Sequence, residues 1–379
     1  METVKGFEDF IGEEAIKREA IRKVAVEVFE KYGFEPSETP IIEYEEFVRG
    51  PESQQGDEAI SDIFKLQDKG KRKLALKYEQ TFPLKRLMNN KKLPYKRYTI
   101  GPVFRDEPTS EQRLRQFTQC DADVIGSSVK NDAEVLAIIN DILDYLGVKN
   151  TIFVGNRALL NEIIDEIDDI KGTNRNQVLR EIDKLDKLPE AEVRKNLKKY
   201  GAEKLLDILG KSEKYFERFK AYQDIKELKE YCKFYGIEIK FQPSLVRGLS
   251  YYNRNVFEIK VKGMKETVMG GGAYMFNSVQ CVGWSFSFER LIGLVTLNLV
   301  AERYLVISLD RDKEAIALAQ KLRSKGGSVS VYYGKPSKAL EYANSYGFQK
   351  VIFVGEKEIK SKKFMVKDMK TGKESELKI

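Results

Sequence analysis

The stretches Tyr98-Thr99-Ile100-Gly101-Pro102-Val103-Phe104-Arg105-Asp106-Glu107 and Arg113-Leu114-Arg115-Gln116-Phe117-Thr118-Gln119-Cys120-Asp121-Ala122-Asp123-Val124-Ile125 read as long alternating strands. Between them lies the polar turn Pro108-Thr109-Ser110-Glu111-Gln112. Two runs with a side-chain period of two, joined by a short polar turn, predict an antiparallel hairpin. On its first strand Tyr98, Ile100, Pro102 and Phe104 point one way, and Thr99, Val103, Arg105 and Glu107 the other. On the return strand Arg113, Arg115, Phe117, Gln119, Asp121 and Asp123 share one face. One surface then carries guanidiniums, an aromatic ring, an amide and carboxylates. Buried charges need partners, so this surface is either a ligand-binding face or a solvated edge hairpin. Guanidiniums fork onto phosphate oxygens. An aromatic face stacks a base, and Gln119 with Asp123 can fix a small polar group. A nucleoside triphosphate beside a small polar molecule fits the set.

Outward from the hairpin, Glu13 to Tyr32 places Ile16, Ile21, Val24, Val28 and Phe29 on one stripe of a helix, with Gly33 as its stop. Short strand-like runs follow at Thr39–Ile42 and Leu74–Leu76. Asn131–Leu146 reads as helix. From about Asn150 to Gly236 the chain reads as charged helix, and strand alternation resumes at Ile237–Phe241 and Val256–Val261, so the helical block is expected to be an insertion. Gly270, Gly271 and Gly272 lead to a strand at Val279–Phe286 and a helix from Phe288. After Val300, strand and helix alternate at the spacing of a small α/β domain. The expected domains are 1–148, a helical insertion 149–237, a return to the first domain at 238–300, and an α/β domain at 302–379. The expected class is α+β.

The chain has 379 residues and no histidine. That excludes Ser-His-Asp and Cys-His hydrolases, H-E-x-x-H metalloproteases and histidine proton shuttles. Cys120, Cys232 and Cys281 have neither a disulfide nor a zinc spacing and read as small core residues. No apolar run reaches a membrane span and no secretory signal is evident, so the cytoplasm is the expected compartment and no membrane partner is expected. The net charge of +7 is not spread evenly. Residues 302–379 hold 17 basic and 10 acidic side chains, leaving 49 of each elsewhere. The excess suggests either a polyanion partner for that domain or a lysine-rich solvated surface.

The hairpin residues Gly101–Glu107 and Arg113–Gln119 resemble motif 2 of class II aminoacyl-tRNA synthetases and, more narrowly, of the histidyl-tRNA synthetase family. Tyr32-Gly33-Phe34 with Glu38-Thr39-Pro40 resembles the dimer-interface motif 1, and Leu76-Lys77-Tyr78-Glu79-Gln80-Thr81 the substrate-amine loop. Val246-Arg247-Gly248-Leu249-Ser250-Tyr251-Tyr252 resembles the histidine signature. Gly270-Gly271-Gly272 with Tyr274, and Gly283–Arg290, resemble the glycine-rich strand and motif 3. The resemblance covers nearly the whole chain. It implies an antiparallel sheet flanked by helices, with a helical insertion and an anticodon-binding-like α/β domain.

The same resemblance implies ATP, Mg²⁺, histidine and tRNA(His) as ligands, and a homodimer. It places Arg105 on the α-phosphate, Glu107 near the adenine, Arg113 and Arg290 toward the outer phosphates, and Phe117 under the base. Glu79 and Thr81 fall near the ammonium group, and Gln119, Asp123, Tyr251, Tyr252 and Tyr274 around the side chain. Arg247 falls by the reacting carboxylate. Read alone, Glu79 is a surface carboxylate, one of the adjacent tyrosines packs in the core, and the glycines permit a bulge or close strand packing.

The chain departs from the family pattern at Lys77, Gln80, Glu111, Ser250, Ala273, Met275 and Ser287, and ends soon after its last expected strand. These changes fall on supporting positions and tRNA contacts, so histidine activation is the firmer expectation and tRNA charging the weaker. The rivals are a non-catalytic paralog that senses histidine and regulates ATP phosphoribosyltransferase, and a paralog that activates another amino acid or modifies RNA or protein.

Overall fold

The computed structural model describes residues 2–50, 62–88, 91–110, 113–167, 175–246, 251–262, 264, 267–295 and 302–377. It divides into two compact units, one of Met1–Asp9 with Ile21–Leu297 and one of Phe10–Ala20 with Asn298–Ile379. Of the expected positions, Arg247, Ser250 and Glu111 lie outside the described residues.

The strands of the first unit are β1 (Glu35–Pro36), β2 (Ile42–Tyr44), β3 (Lys65–Gln67), β4 (Lys73–Leu76), β5 (Tyr95–Phe104), β6 (Gln116–Ile125), β7 (Asn150–Asn156), β8 (Ile239–Phe241), β9 (Tyr252–Val261), β10 (Met269–Phe276) and β11 (Val279–Ser287). Eight of them form one sheet in the order β1-β5-β6-β11-β10-β9-β7-β8. Its pairs are antiparallel except at the two edges, β1 with β5 and β7 with β8. Strands β2, β4 and β3 form a separate small sheet.

Helices cover the even face of β5. The helix Gly12–Lys31 buries Ile21, Ala25, Val28 and Phe29, a stripe at helical spacing. The Phe29 ring stacks on Tyr98 at 4.8 Å and lies 5.7 Å from Trp284. The helix Val129–Tyr145 begins where the Ser128 N–H donates to Asn131 Oδ1 at 3.0 Å, and it buries ten side chains, Leu136, Ile138, Ile139 and Ile142 among them. The apolar residues of this layer are what hold the sheet. They commit the even side of the hairpin to the core and leave its odd side to a cleft.

Three local expectations shift. Asn150–Asn156 was expected to open the helical block, and it is instead β7, hydrogen-bonded between β9 and β8. Helices follow it from Arg157–Asp165 to Tyr222–Phe234. Strand β2 begins at Ile42, where the expected run ended. The three glycines sit inside β10 instead of preceding a strand. The reason is close packing: a Cβ on Gly271 would fall 2.1 Å from the Gly283 carbonyl oxygen.

The second unit has β12 (Arg303–Ser308), β13 (Ser328–Tyr333), β14 (Lys350–Val354), β15 (Met365–Asp368) and β16 (Glu374–Glu376) in the order β13-β12-β14-β15-β16. The first three are parallel and the last two antiparallel. Parallel neighbours need helical crossovers, and Asp312–Arg323 and Pro336–Ser345 supply them. No helix among the described residues is long and apolar enough to cross a membrane.

Candidate active site

The odd face of the hairpin floors a cleft of about 920 Å³, within the usual size of a small-molecule site. Glu79, Thr81, Arg105, Glu107, Arg113, Phe117, Gln119, Asp123, Tyr251, Tyr252, Tyr274 and Arg290 all line it. Every described candidate from the sequence is therefore in one place. Arg115 is the exception to the parity. Strand β6 starts only at Gln116, and the Arg115 guanidinium turns away to pair with Asp106 at 3.1 Å.

One end of the cleft is cationic. Arg105 Nε donates to the Tyr78 carbonyl at 3.2 Å, and its guanidinium lies 5.2 Å over the Phe117 ring. Glu107 pairs with Arg113 at 3.4 Å and Arg105 at 3.9 Å, which holds the two guanidiniums toward each other. Arg290 NH1 donates to the Thr267 carbonyl at 3.1 Å. Its N–H meets Ser287 Oγ at 3.4 Å, so the motif 3 departure Ser287 serves as N-cap of the short helix Phe288–Leu291. Such a set of forked donors suits phosphate oxygens beside a stacking ring.

The other end is acidic and phenolic, and its side chains are buried. Gln119, Asp121 and Asp123 are 6%, 5% and 1% exposed. Tyr274 OH donates to Asp123 Oδ1 at 2.5 Å, and Gln119 Nε2 donates to Asp121 Oδ2 at 3.1 Å. Gln119 Oε1 is buried without a hydrogen-bond partner. The space for the Asp123 carboxylate exists because residue 283 is glycine: a Cβ there would lie 2.1 Å from Asp123 Oδ1. Burial pushes the Tyr274 phenol well up, and the Asp123 charge adds to the shift, so the phenol stays a donor. Read alone as strand residues, one of Tyr251 and Tyr252 packs in the core, whereas the resemblance places both around the substrate side chain. Both line the cleft, because Tyr251 precedes β9; its ring lies 4.8 Å from Tyr252 and 5.4 Å from Tyr274.

The amine loop explains two departures at once. Buried Lys77 Nζ donates to Gln80 Oε1 at 3.0 Å, and Gln80 Nε2 donates to the Gly101 carbonyl at 3.2 Å. The two altered residues thus satisfy each other and tie the Glu79 loop to β5. Of the altered pair flanking Tyr274, Met275 is 45% exposed and does not line the cleft.

Sequence reasoning missed two groups. Arg97, fully buried, reaches Asp121 at 2.8 Å and also pairs with Asp123. Its odd number was the available signal, since parity places it on the same strand face as Arg105. Arg157, Arg180, Lys184 and Lys187 also line the cleft, from the helical block after β7. No periodicity marks these four. Among the described residues no cluster of three or more His, Cys, Asp or Glu forms a metal cage.

A family profile described as histidyl-tRNA synthetase matches residues 6–291, and one described as anticodon binding domain matches 303–379. The histidine–tRNA ligase 1 of Bacillus cereus is 31% identical over 419 residues, covering 100% of this chain and 98% of that protein. The histidine–tRNA ligase of Wolinella succinogenes is 34% identical over 420 residues, covering 98% of this chain and 94% of that protein. In fold, the chain is similar to the crystal structure of histidyl-tRNA synthetase from Nostoc sp. PCC 7120, with a TM-score of 0.84 at 24% identity over 99% of this chain and 96% of that one. With the catalytic profile spanning most of its length and full-length relatives above 30% identity, the chain belongs to the histidyl-tRNA synthetase family of ligases.

Proposed function

We propose that the chain activates histidine with ATP to histidyl-adenylate and transfers the histidyl group to tRNA(His). One observation carries the reading. A cationic end with a stacking ring and a buried end of amide, carboxylate and phenol share one cleft.

In the first step a histidine carboxylate oxygen bonds to the α-phosphorus of ATP, and the bond to the bridging oxygen of pyrophosphate breaks. A carboxylate is already a nucleophile at neutral pH, so the step needs no general base, in keeping with a chain that has no histidine. It needs in-line placement and neutralisation of spreading negative charge. Arg105 takes the α-phosphate, Arg113 and Arg290 the outer phosphates, Phe117 the adenine face and Glu107 the adenine edge. Glu79 and Thr81 hold the ammonium group, and Gln119, Asp123, Tyr251, Tyr252 and Tyr274 surround the imidazole. Arg247 beside the reacting carboxylate rests on the resemblance alone. In the second step a tRNA ribose hydroxyl attacks the acyl carbon, and AMP leaves.

Mg²⁺ prefers substrate phosphates with one or two carboxylates, and Glu289 lines the cleft. It is the residue that would hold the ion, which would supply further neutralisation of the phosphates. A homodimer, a cytoplasmic location and tRNA contact through residues 302–379 complete the proposal. The lysine excess of that segment supports the last.

Pyrophosphate exchange run with each of the twenty amino acids tests the reading. Histidine alone should drive exchange, and histidyl-tRNA should then form. Exchange with a different amino acid overturns the substrate. Histidine binding without exchange favours the non-catalytic sensor, which the retained Arg105, Arg113 and Arg290 argue against.

A further inference from the structure

Beneath the floor of the cleft lies a guanidinium that does not line it. Arg97 is 0% exposed, and its NH2 donates to Asp121 Oδ1 at 2.8 Å and pairs with Asp123. NH1 donates to Thr99 Oγ1 at 2.9 Å, and NH2 also reaches the Gln80 carbonyl at 3.1 Å. The β5–β6 register sets Arg97 opposite Asp123 and Thr99 opposite Asp121, so the arrangement is built into the sheet. Both carboxylates, unlike the arginine, line the cleft.

The charges do not balance. One guanidinium faces two carboxylates, and the remaining hydrogen bonds to them come from neutral donors, Gln119 and Tyr274. The other charged or titratable groups facing this pair are Glu79 from the loop after β4, the phenols of Tyr251 and Tyr274, and the thiols of Cys120 and Cys281. Among the described residues none of these supplies a second positive charge, and the buried Lys77 ammonium, which Arg97 repels, bonds to Gln80 and not to either carboxylate. A buried surface with one excess negative charge is costly unless a proton or a cationic ligand cancels it. Burial pushes the Asp121 carboxyl well up, with Arg97 opposing the shift and Asp123 and Glu79 adding to it.

We propose that Arg97 is a positioning residue that fixes the charge of this floor at minus one, so that the histidine side chain is held as the imidazolium cation. The proposal rests on the reading of Gln119 and Asp123 as the side-chain site. Free imidazole titrates near pH ~6.5, so at pH 8 histidine arrives neutral. A ring nitrogen then gains one proton, given up by the Asp121 carboxyl or by solvent, and no other bond changes. A side chain of the same shape that resists protonation, such as 1,2,4-triazole-3-alanine, cannot accept that proton and is disfavoured.

Because the full chain contains no histidine, every imidazole nitrogen resonance in a complex with ring-¹⁵N histidine belongs to the ligand. At pH 8 the wild type should show two protonated-type nitrogens, and one lone-pair nitrogen would overturn the proposal. Asp121→Asn makes the floor neutral and should bind the neutral ring. Combining it with Arg97→Gln returns the floor to minus one and should restore the imidazolium. An imidazolium in the single variant, or a neutral ring in the double variant, overturns the charge count. In pyrophosphate exchange the wild type should favour histidine over the triazole by about tenfold or more, a ratio that Asp121→Asn reduces to about twofold or less. An unchanged ratio refutes the proposal. Absence of histidine-driven exchange in the wild type would instead refute the substrate reading on which it stands.

Discussion

Gly283→Ala tests how the acidic end of the cleft is built. Gly283 lies opposite Asp123 in the β11–β6 register, and its φ is not in the left-handed region, so alanine fits the backbone. What alanine does not fit is the carboxylate. Its Cβ would stand 2.1 Å from Asp123 Oδ1, 3.1 Å from Asp123 Cγ and 3.2 Å from Tyr274 Cε1. Ordinary contact requires roughly another ångström, so Asp123 must swing and the 2.5 Å bond from Tyr274 is lost. A hydrogen bond to a charged group contributes about 1.5–3 kcal/mol. At 1.4 kcal/mol per decade, the histidine KM in pyrophosphate exchange should rise about 10- to 150-fold. Arg105, Arg113 and Phe117 do not touch residue 283, so the ATP KM should hold within about twofold. Tyr274→Phe removes the same bond from the other side. The double variant should therefore be little worse than either single one, with a large coupling energy between the two sites. A Gly283→Ala enzyme with an unchanged histidine KM, or two effects that add in full, would show that the carboxylate's seat is not what binds histidine.

Three further outcomes are expected. Arg105→Ala should lower kcat/KM for exchange by about 10²–10³-fold while the melting temperature stays near that of the wild type, measured by exchange kinetics and a thermal melt. Asp132 is 2% exposed, accepts from Asn255 Nδ2 at 2.8 Å, and is pushed up to about 7 chiefly by burial, with that hydrogen bond opposing the shift. Its folded pKa lies above the unfolded one, so stability present below about pH 4 is lost as pH rises toward 7. Asp132→Asn keeps the bond without the charge and should be more stable by up to about 4 kcal/mol at pH 8, converging with the wild type at pH 4, in urea titrations. Lys362→Glu with Lys363→Glu, at two exposed lysines of the second unit, should weaken tRNA binding and flatten its dependence on log salt by about one to two, read by filter binding, with exchange unaffected.

The hairpin was legible because the pleat enforces a period of two, and the even face announced itself through Tyr98 and Phe104. Parity fails where the strand stops. The N–H of Arg115 donates to the Gly6 carbonyl, outside the ladder, so its odd number carried no information. Arg97 shows the opposite error. Its parity was right, but a lone arginine in an apolar strand gives no sign of the two carboxylates that pair across the ladder, and those are what permit its burial. Strand β7 was hidden by composition: seven residues amid charged helices present too little alternation to outvote their flanks. The four basic residues of the helical block could not be found at all, since only the fold brings Arg157 and Lys187 to the same cleft.

The departures from the family pattern bear on what this chain still does. A substitution that disables a site leaves an unpaired polar group or an empty contact. Four of the five described ones do neither: Lys77 and Gln80 bond to each other, Ser287 caps the helix that carries Arg290, and Met275 faces outward, while nothing in the structure explains Ala273. The groups that would touch ATP and the amino acid's side chain are assembled, and Asp123 keeps a seat that residue 283 leaves open only as glycine. A site discarded by evolution would have no reason to keep a buried guanidinium under two carboxylates, because burying charges is costly even when they are paired. The floor is best understood as waiting for a cation. In a protein without a single histidine, the one imidazole that enters the cleft is the substrate's own.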